Sequence, residues 1–372
     1  MQIVNRGTLY TAEPGDPRGV ACFPSLMRCD DGRLMCAFRI GRTKTSADET
    51  LRICQSNDEG RSWQLTAFAP DTSFGGVPGS FRFGHLTETA PLHLLLVACW
   101  CNRMDPDAPV AHPETGGCQE LKLIAFRSID GGEHWSVGEE LLPPFPQPEI
   151  SGPLVSLAEE GEFLMPVENQ KAFFDPEPID QQAVALLSHD YGATWLETVP
   201  ITHDHARDYW CHRIARLPES NRLVDLTWAY DVATEQDLPI HIVFGSPDGR
   251  TWSQPRSTGI QGQLSTALPL DEKTLLLGYV HRHQPASMRL RLSLDGGQSW
   301  DGAPELTFYS ASPDEATDGL GGDIPDYYKF MGDYTFGWTP MVRLQNGNVL
   351  LVYFAGSTEA TDIRWIEIEP LV

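Results

Sequence analysis

At 372 residues with 41% hydrophobic side chains, the chain holds ample material for a core, which excludes a disordered protein. Its formal net charge of −24 repels phosphate backbones, so neither nucleic acid nor an anionic membrane is an expected partner. In so acidic a chain, any local cluster of arginines needs an explanation.

Residues 1–7 show no apolar run behind their charge, so no secretory leader is read and a cytoplasmic protein is expected. The most apolar stretch, residues 92–101, is too short to cross a bilayer and includes His93. Eight cysteines without a CxxC pair read as reduced thiols, several of them in strands.

An early strand, at residues 3–5 or 8–10, precedes a series of similar units. The first runs from Phe23–Met27 through a turn at Asp30, Asp31 and Gly32 into Leu34–Phe38. It ends in Ser56, Asp58, Gly60 and Trp63. A weaker second unit covers Phe81–Trp100 and Leu121–Phe126 and ends in Ser128, Asp130, Gly132 and Trp135. The third pairs Leu154–Leu157 with Phe163–Met165 and ends in Ser188, Asp190, Gly192 and Trp195. The fourth pairs Arg213–Leu217 with Leu223–Trp228, and its ending, Ser246, Asp248, Gly249 and Trp252, is one residue shorter. The fifth pairs Leu264–Leu268 with Leu275–Tyr279 and ends in Ser293, Asp295, Gly297 and Trp300. A sixth pairs Met341–Leu344 with Val349–Tyr353 and continues into Ile363–Ile368 without the closing motif.

The closing motif, S-x-D-x-G-x-x-W, has the chemistry of a β-hairpin turn. Asp accepts backbone N–H groups just ahead of it, Gly supplies a positive φ, and Trp packs back on the sheet. These residues are therefore structural. Units of about sixty residues worth four strands each predict an all-β fold, a six-bladed β-propeller of four-stranded antiparallel blades. Because the last unit lacks its hairpin, the N-terminal strand is free to close the last blade. No linker interrupts the pattern, so one domain is expected over residues 1–372.

Topology then locates a site. If the Asp hairpin joins the third and fourth strands, it shares a face with the turn between the first and second. An axial site must lie on the opposite face, where chain leaves second strands and approaches first strands. Blade 1 places Arg39, Arg42 and Asp48 there, and blade 2 places Arg82, Trp100, Asn102 and Arg103. Blade 3 adds Glu149, Glu168 and Asn169. Blade 4 is richest, with His203, His205, Arg207, Tyr209, His212, Arg213 and Trp228. Blade 5 adds Gln263, His281, Arg282 and His283. The long segment 308–338 contributes Tyr327, Tyr328, Tyr334 and Trp338. Arginine binds a carboxylate through two parallel hydrogen bonds and aromatic rings stack on sugar C–H faces, so an anionic carbohydrate is the expected partner. Candidate binding residues are Arg39, Arg82, Arg207, Tyr209, His212, Arg213, Trp228, Arg282 and Trp338. His203 and His205 resemble a metal pair, but no third ligand is evident, so neither metal nor other cofactor is assigned.

The repeated Asp hairpins on a six-unit propeller resemble the sialidase (neuraminidase) superfamily of BNR, or Asp-box, proteins. That resemblance implies an exo-acting glycoside hydrolase with an Arg triad for the substrate carboxylate, a Tyr nucleophile assisted by Glu, and an Asp acid/base. Arg39 matches an arginine at the end of the second strand, and Asp48, or Glu49, fits the acid/base. The first triad arginine is absent, because the matching run reads Cys22, Phe23, Pro24. At the nucleophile's place the chain reads Gly337, Trp338, Thr339, with Tyr334 four residues upstream. On this reading Asp48 protonates the leaving oxygen, Tyr334 or Glu168 is nucleophile or base, and Arg39, Arg213 and Arg282 hold the carboxylate. A uronate lyase and a non-catalytic sugar-binding propeller remain open from the sequence.

Overall fold

The Asp hairpins form as their chemistry dictates. In a computed structural model describing residues 1–13, 16–311 and 334–370, Ser56 Oγ donates to Asp58 Oδ1 at 2.8 Å and accepts Gly60 N–H at 2.9 Å. Asp58 also accepts Ser62 N–H at 2.9 Å, and the Trp63 indole donates to Gly60 O at 2.9 Å. The Ser–Asp and indole bonds recur around Asp130, Asp190 and Asp248. The Ser–Asp bond is kept at Asp295, but the buried Trp300 indole has no hydrogen-bond partner among the described residues. Removing one carboxylate tests the motif's weight. Asp58→Ala is expected to cost about 1–2 kcal/mol in urea unfolding, because three donors lose their acceptor at a partly exposed turn.

The hairpin glycines also set how blades pack. A Cβ on Gly60 would lie 2.8 Å from Leu350, and one on Gly249 would lie 2.4 Å from Leu164, each with φ already positive at 84° and 70°. Gly132, Gly192 and Gly297 meet Met35, Leu95 and Ile242 in the same manner. In all five, the contact falls on the second or third strand of the preceding blade.

Six blades follow in chain order. Blade 1 comprises Val20–Arg28, Leu34–Gly41, Thr50–Ser56 and Gln64–Leu65, and blade 2 comprises Gly79–Ala90, His93–Asn102, Leu121–Ser128 and Glu139–Leu141. Blade 3 has a divided inner strand, Pro148–Ile150 and Val155–Ser156, followed by Phe163–Asn169, Ala183–Ser188 and Glu197–Thr202. Arg207–Arg216, Leu223–Asp231, His241–Gly245 and Arg256–Ser257 make blade 4. Gln263–Pro269, Leu275–His281, Ser287–Ser293 and Glu305–Ser310 make blade 5. Blade 6 starts from Phe336–Gly337 and Met341–Arg343, continues through Val349–Gly356 and Thr361–Glu369, and takes Gln2–Tyr10 as its outer strand. A parallel bridge between Val20 and Thr361 joins blades 6 and 1 into one nine-stranded sheet.

The core lies between blades, where apolar faces of neighbouring sheets meet. Leu51 and Ile53 pack with Leu94, Leu96 and Phe126, and Leu164 and Leu187 pack with Ile214, Leu223 and Val243. None of the eight cysteines is in a disulfide, and seven of them are buried.

The inner strands of blades 1, 2, 4 and 5 share one irregularity. Their registers slip at Cys22/Ser25, Phe81/Phe83, Trp210/Arg213 and Gln263/Thr266. At these breaks Phe23, Cys211 and Leu264 have φ of 55°, 51° and 46°, and Trp338, between the two inner pieces of blade 6, has 68°. A bulky residue in the left-handed region costs on the order of 1 kcal/mol or more. A bulge re-aims side chains, and here all four point into the same axial pocket.

Candidate active site on the propeller axis

Every blade contributes to this pocket. Phe23 and Lys44 come from blade 1, Arg82 and Phe83 from blade 2, and Glu149, Ser151, Glu168 and Gln170 from blade 3. Trp210, Cys211 and Trp228 come from blade 4, Leu264 and Arg282 from blade 5, and Trp338 from blade 6. A larger cleft of about 540 Å³ lies at the outer edge of blade 2, among Phe68, Phe74 and Trp135. Its ionisable groups, such as Glu133 and His134, are solvated, so the chemistry concentrates on the axis.

Glu168 is the pocket's most constrained acid. Oε1 accepts the Ser151 hydroxyl and the Cys211 N–H, the latter placed by the blade 4 bulge, and Oε2 accepts the side-chain amides of Gln170 and Gln181 at 3.2 Å each. Burial, reinforced by the charge of Glu149, outweighs these donors and pushes its carboxyl up to about 7. Glu149 is paired with Arg82 at 2.9 Å, and burial raises it above the usual carboxylate range against the pull of that arginine.

Arg282, which also lines the pocket, is anchored through Gln263. Its Nε donates to Gln263 Oε1 at 3.1 Å, Gln263 donates to Asp237, and Asp237 also accepts the Trp228 indole at 2.8 Å. Its guanidinium centre lies 3.6 Å from the Tyr334 ring centroid. The residue is 3% exposed, and Nη1 has no hydrogen-bond partner among the described residues. Lys44 lies beside it, donating to Tyr334 O at 2.9 Å with its Nζ 5.3 Å from the Phe23 ring centroid.

Trp338 floors the pocket. It packs on Phe23 and Phe83, with centroids 4.8 and 6.0 Å away, and carries the Arg213 guanidinium 4.4 Å from its own. Below it a separate cavity is lined by Arg213, Thr266 and His85. There burial brings the Arg213 guanidinium down to about 10.

Of the residues selected from sequence, the fold therefore gathers Arg82, Glu168, Trp228, Arg282 and Trp338 around one pocket. Tyr334 is buried behind Arg282, and Arg213 reaches the far side of the Trp338 floor. Arg39 forms the wall's interior, where it pairs with Glu49 at 3.2 Å and donates to Arg82 O. Asp48 does not line the pocket. It turns to Arg42, 3.2 Å away, and although burial opposes ionisation, Ser46 and Arg42 hold its carboxyl below the usual range. Arg207 pairs with Asp204 at the rim, and Tyr209 lies in the packing between blades 3 and 4. His212 is fully buried behind Glu168, bonded to Asp225 at 3.1 Å and Val167 O at 3.0 Å. Burial disfavours its charge, but Asp225 raises it above the ordinary histidine value. Tyr327 and Tyr328 lie outside the described residues. Lys44, Ser151, Gln181 and Cys211 carry no motif that would single them out.

No family model matches the sequence, and no curated protein matches it by sequence. Solved structures do match by fold. A Dyadobacter fermentans protein of unknown function is 20% identical with a TM-score of 0.73, and the match covers 98% of each chain. The Hadza microbial sialidase Hz136 is 14% identical with a TM-score of 0.67, over 96% of this chain and 67% of that one. The intramolecular trans-sialidase of Ruminococcus gnavus is 13% identical with a TM-score of 0.63, over 97% of each chain. At such identities the likeness is one of fold.

Proposed function

We propose that this protein is an exo-acting glycoside hydrolase for an acidic sugar, with Glu168 as its proton carrier. One observation carries the reading: a buried carboxyl raised to about 7 shares one pocket with a buried arginine, Arg282, that has no carboxylate ion-pair partner among the described residues. In a chain of net charge −24, a buried guanidinium with no carboxylate ion-pair partner among the described residues suits an anionic ligand. The sialidase names of several fold neighbours support the same substrate class.

In this mechanism Arg282 and Lys44 bind the sugar carboxylate while Trp228 and Trp338 contact its apolar face. Glu168 gives its proton to the glycosidic oxygen as the C–O bond breaks and its electron pair passes to that oxygen. The Glu149 carboxylate, whose ionised form Arg82 favours, offsets the positive charge developing on the ring. Water then adds to the anomeric carbon and gives up a proton to a carboxylate of the pair.

The test is incubation with a panel of sialosides and uronate-containing oligosaccharides, read by mass spectrometry. Hydrolysis yields fragments that together weigh one water more than the substrate. Cleavage without added water, with a product absorbing in the near ultraviolet, makes the protein a lyase instead. Binding without cleavage across the panel leaves a sugar-binding propeller.

A further inference from the structure

The structure supplies the third ligand that His203 and His205 lack in the sequence. Asp180 lies before the third strand of blade 3, and its Oδ1 is 2.8 Å from His203 Nε2 and 3.4 Å from His205 Nδ1. The three ligand atoms all lie within 4.8 Å of one another, and the two rings stand edge to face with centroids 4.5 Å apart. In a tetrahedral site with bonds of about 2.0–2.2 Å, neighbouring ligand atoms sit roughly 3.3 Å apart. Small side-chain rotations separate these atoms that far. We infer that Asp180, His203 and His205 form a binding site for a divalent transition metal of the zinc class. Two imidazoles and one carboxylate suit zinc, cobalt or nickel rather than calcium or magnesium, which take oxygen ligands. The side chain of His205 is 83% exposed, so water completes the coordination.

The site's position gives the metal a task. Asp180 is flanked by two residues that touch side chains lining the axial pocket. Ile179 packs against Trp210 and Trp228, and Gln181 donates its side-chain amide to Glu168 while its N–H bonds Asp208 at 2.7 Å. A metal bridging Asp180 to the turn before blade 4 fixes this three-residue segment from outside, and with it one of the four donors on Glu168. The binding site itself stands independently of what Glu168 does.

The experiment is calorimetric titration of zinc and cobalt into chelator-treated, dialysed full-length protein at neutral pH, with visible spectra of the cobalt complex. Expected are one metal per chain at micromolar or tighter affinity and ligand-field bands in the cobalt spectrum. Asp180→Ala and His203→Ala, both partly exposed changes, should each weaken zinc binding about 100-fold. Hydrogen exchange of residues 175–182 should slow on zinc addition in the wild type alone. Absence of binding at millimolar metal, or losses under 10-fold in both variants, overturns the site. Tight binding without slowed exchange keeps the site and removes the clamp.

Discussion

Replacing Glu168 by glutamine is expected to lower turnover of the responsive substrate about 10²- to 10⁴-fold, the usual contribution of a positioned acid. Glutamine keeps the shape but cannot give up a proton to the leaving oxygen. A second consequence needs no substrate. The folded carboxyl titrates near 7 against an ordinary value of 4.5, so between these pH values the native state holds a proton that the unfolded chain releases. Stability from this group is full below about pH 4.5 and is lost as pH rises toward 7, by up to about 3 kcal/mol. Glutamine has no such dependence. Urea unfolding at pH 5 and pH 8 should therefore show the variant gaining on the wild type as pH rises. A difference that stays flat across that range would falsify the raised carboxyl.

The second large effect concerns two adjacent acids with opposite surroundings. Glu49 is fully buried, 3.2 Å from Arg39 and 3.5 Å from Arg103, which are themselves almost inaccessible. Glu49→Gln leaves two buried guanidinium groups without their counter-charge and should cost about 3–5 kcal/mol. Asp48→Asn breaks a pair whose arginine is 63% exposed and should cost less than about 1 kcal/mol. Denaturant midpoints of the two variants measure the contrast directly. Equal losses would mean that the buried triad is solvated in solution. The larger loss also reaches the pocket, because Arg39 bonds the backbone of Arg82 and lies 4.5 Å from the Phe23 ring centroid.

The architecture was legible because its signals are local and repeated. Serine, aspartate and glycine at fixed offsets specify a hairpin whatever lies around them, and five copies counted the blades. The missing sixth copy pointed to the N-terminal strand, which the pairing of Gln2 with Glu369 places in the last blade. The site was legible only to the level of a face. Topology could say that Arg82, Glu168 and Arg282 belong on one side, since that follows from strand direction. It could not say which neighbours turn inward. Strand alternation assigns faces two by two, and the bulge between Trp210 and Arg213 breaks that count where blade 4 meets the axis. Thus Tyr209 and His212 went to packing while Trp210 and Cys211 took the pocket. Gln181 escaped notice because nothing in a glutamine announces that its partner is a carboxyl thirteen residues away.

The outer strand of blade 6 also bears on how the chain reaches this state. Gln2–Tyr10 pairs with Ile363–Glu369, so the first strand is made some 350 residues before its partner. Tethering them through some 360 residues of unfolded chain costs on the order of 5 kcal/mol in closure entropy, which early docking of the other blades reduces. Until residues 361–369 emerge, the first strand exposes an unpaired edge to any neighbour able to add a strand, including a second nascent copy. Ring closure is thus expected to be the slow, concentration-sensitive step of folding, and the one most helped by a chaperone that shields that edge.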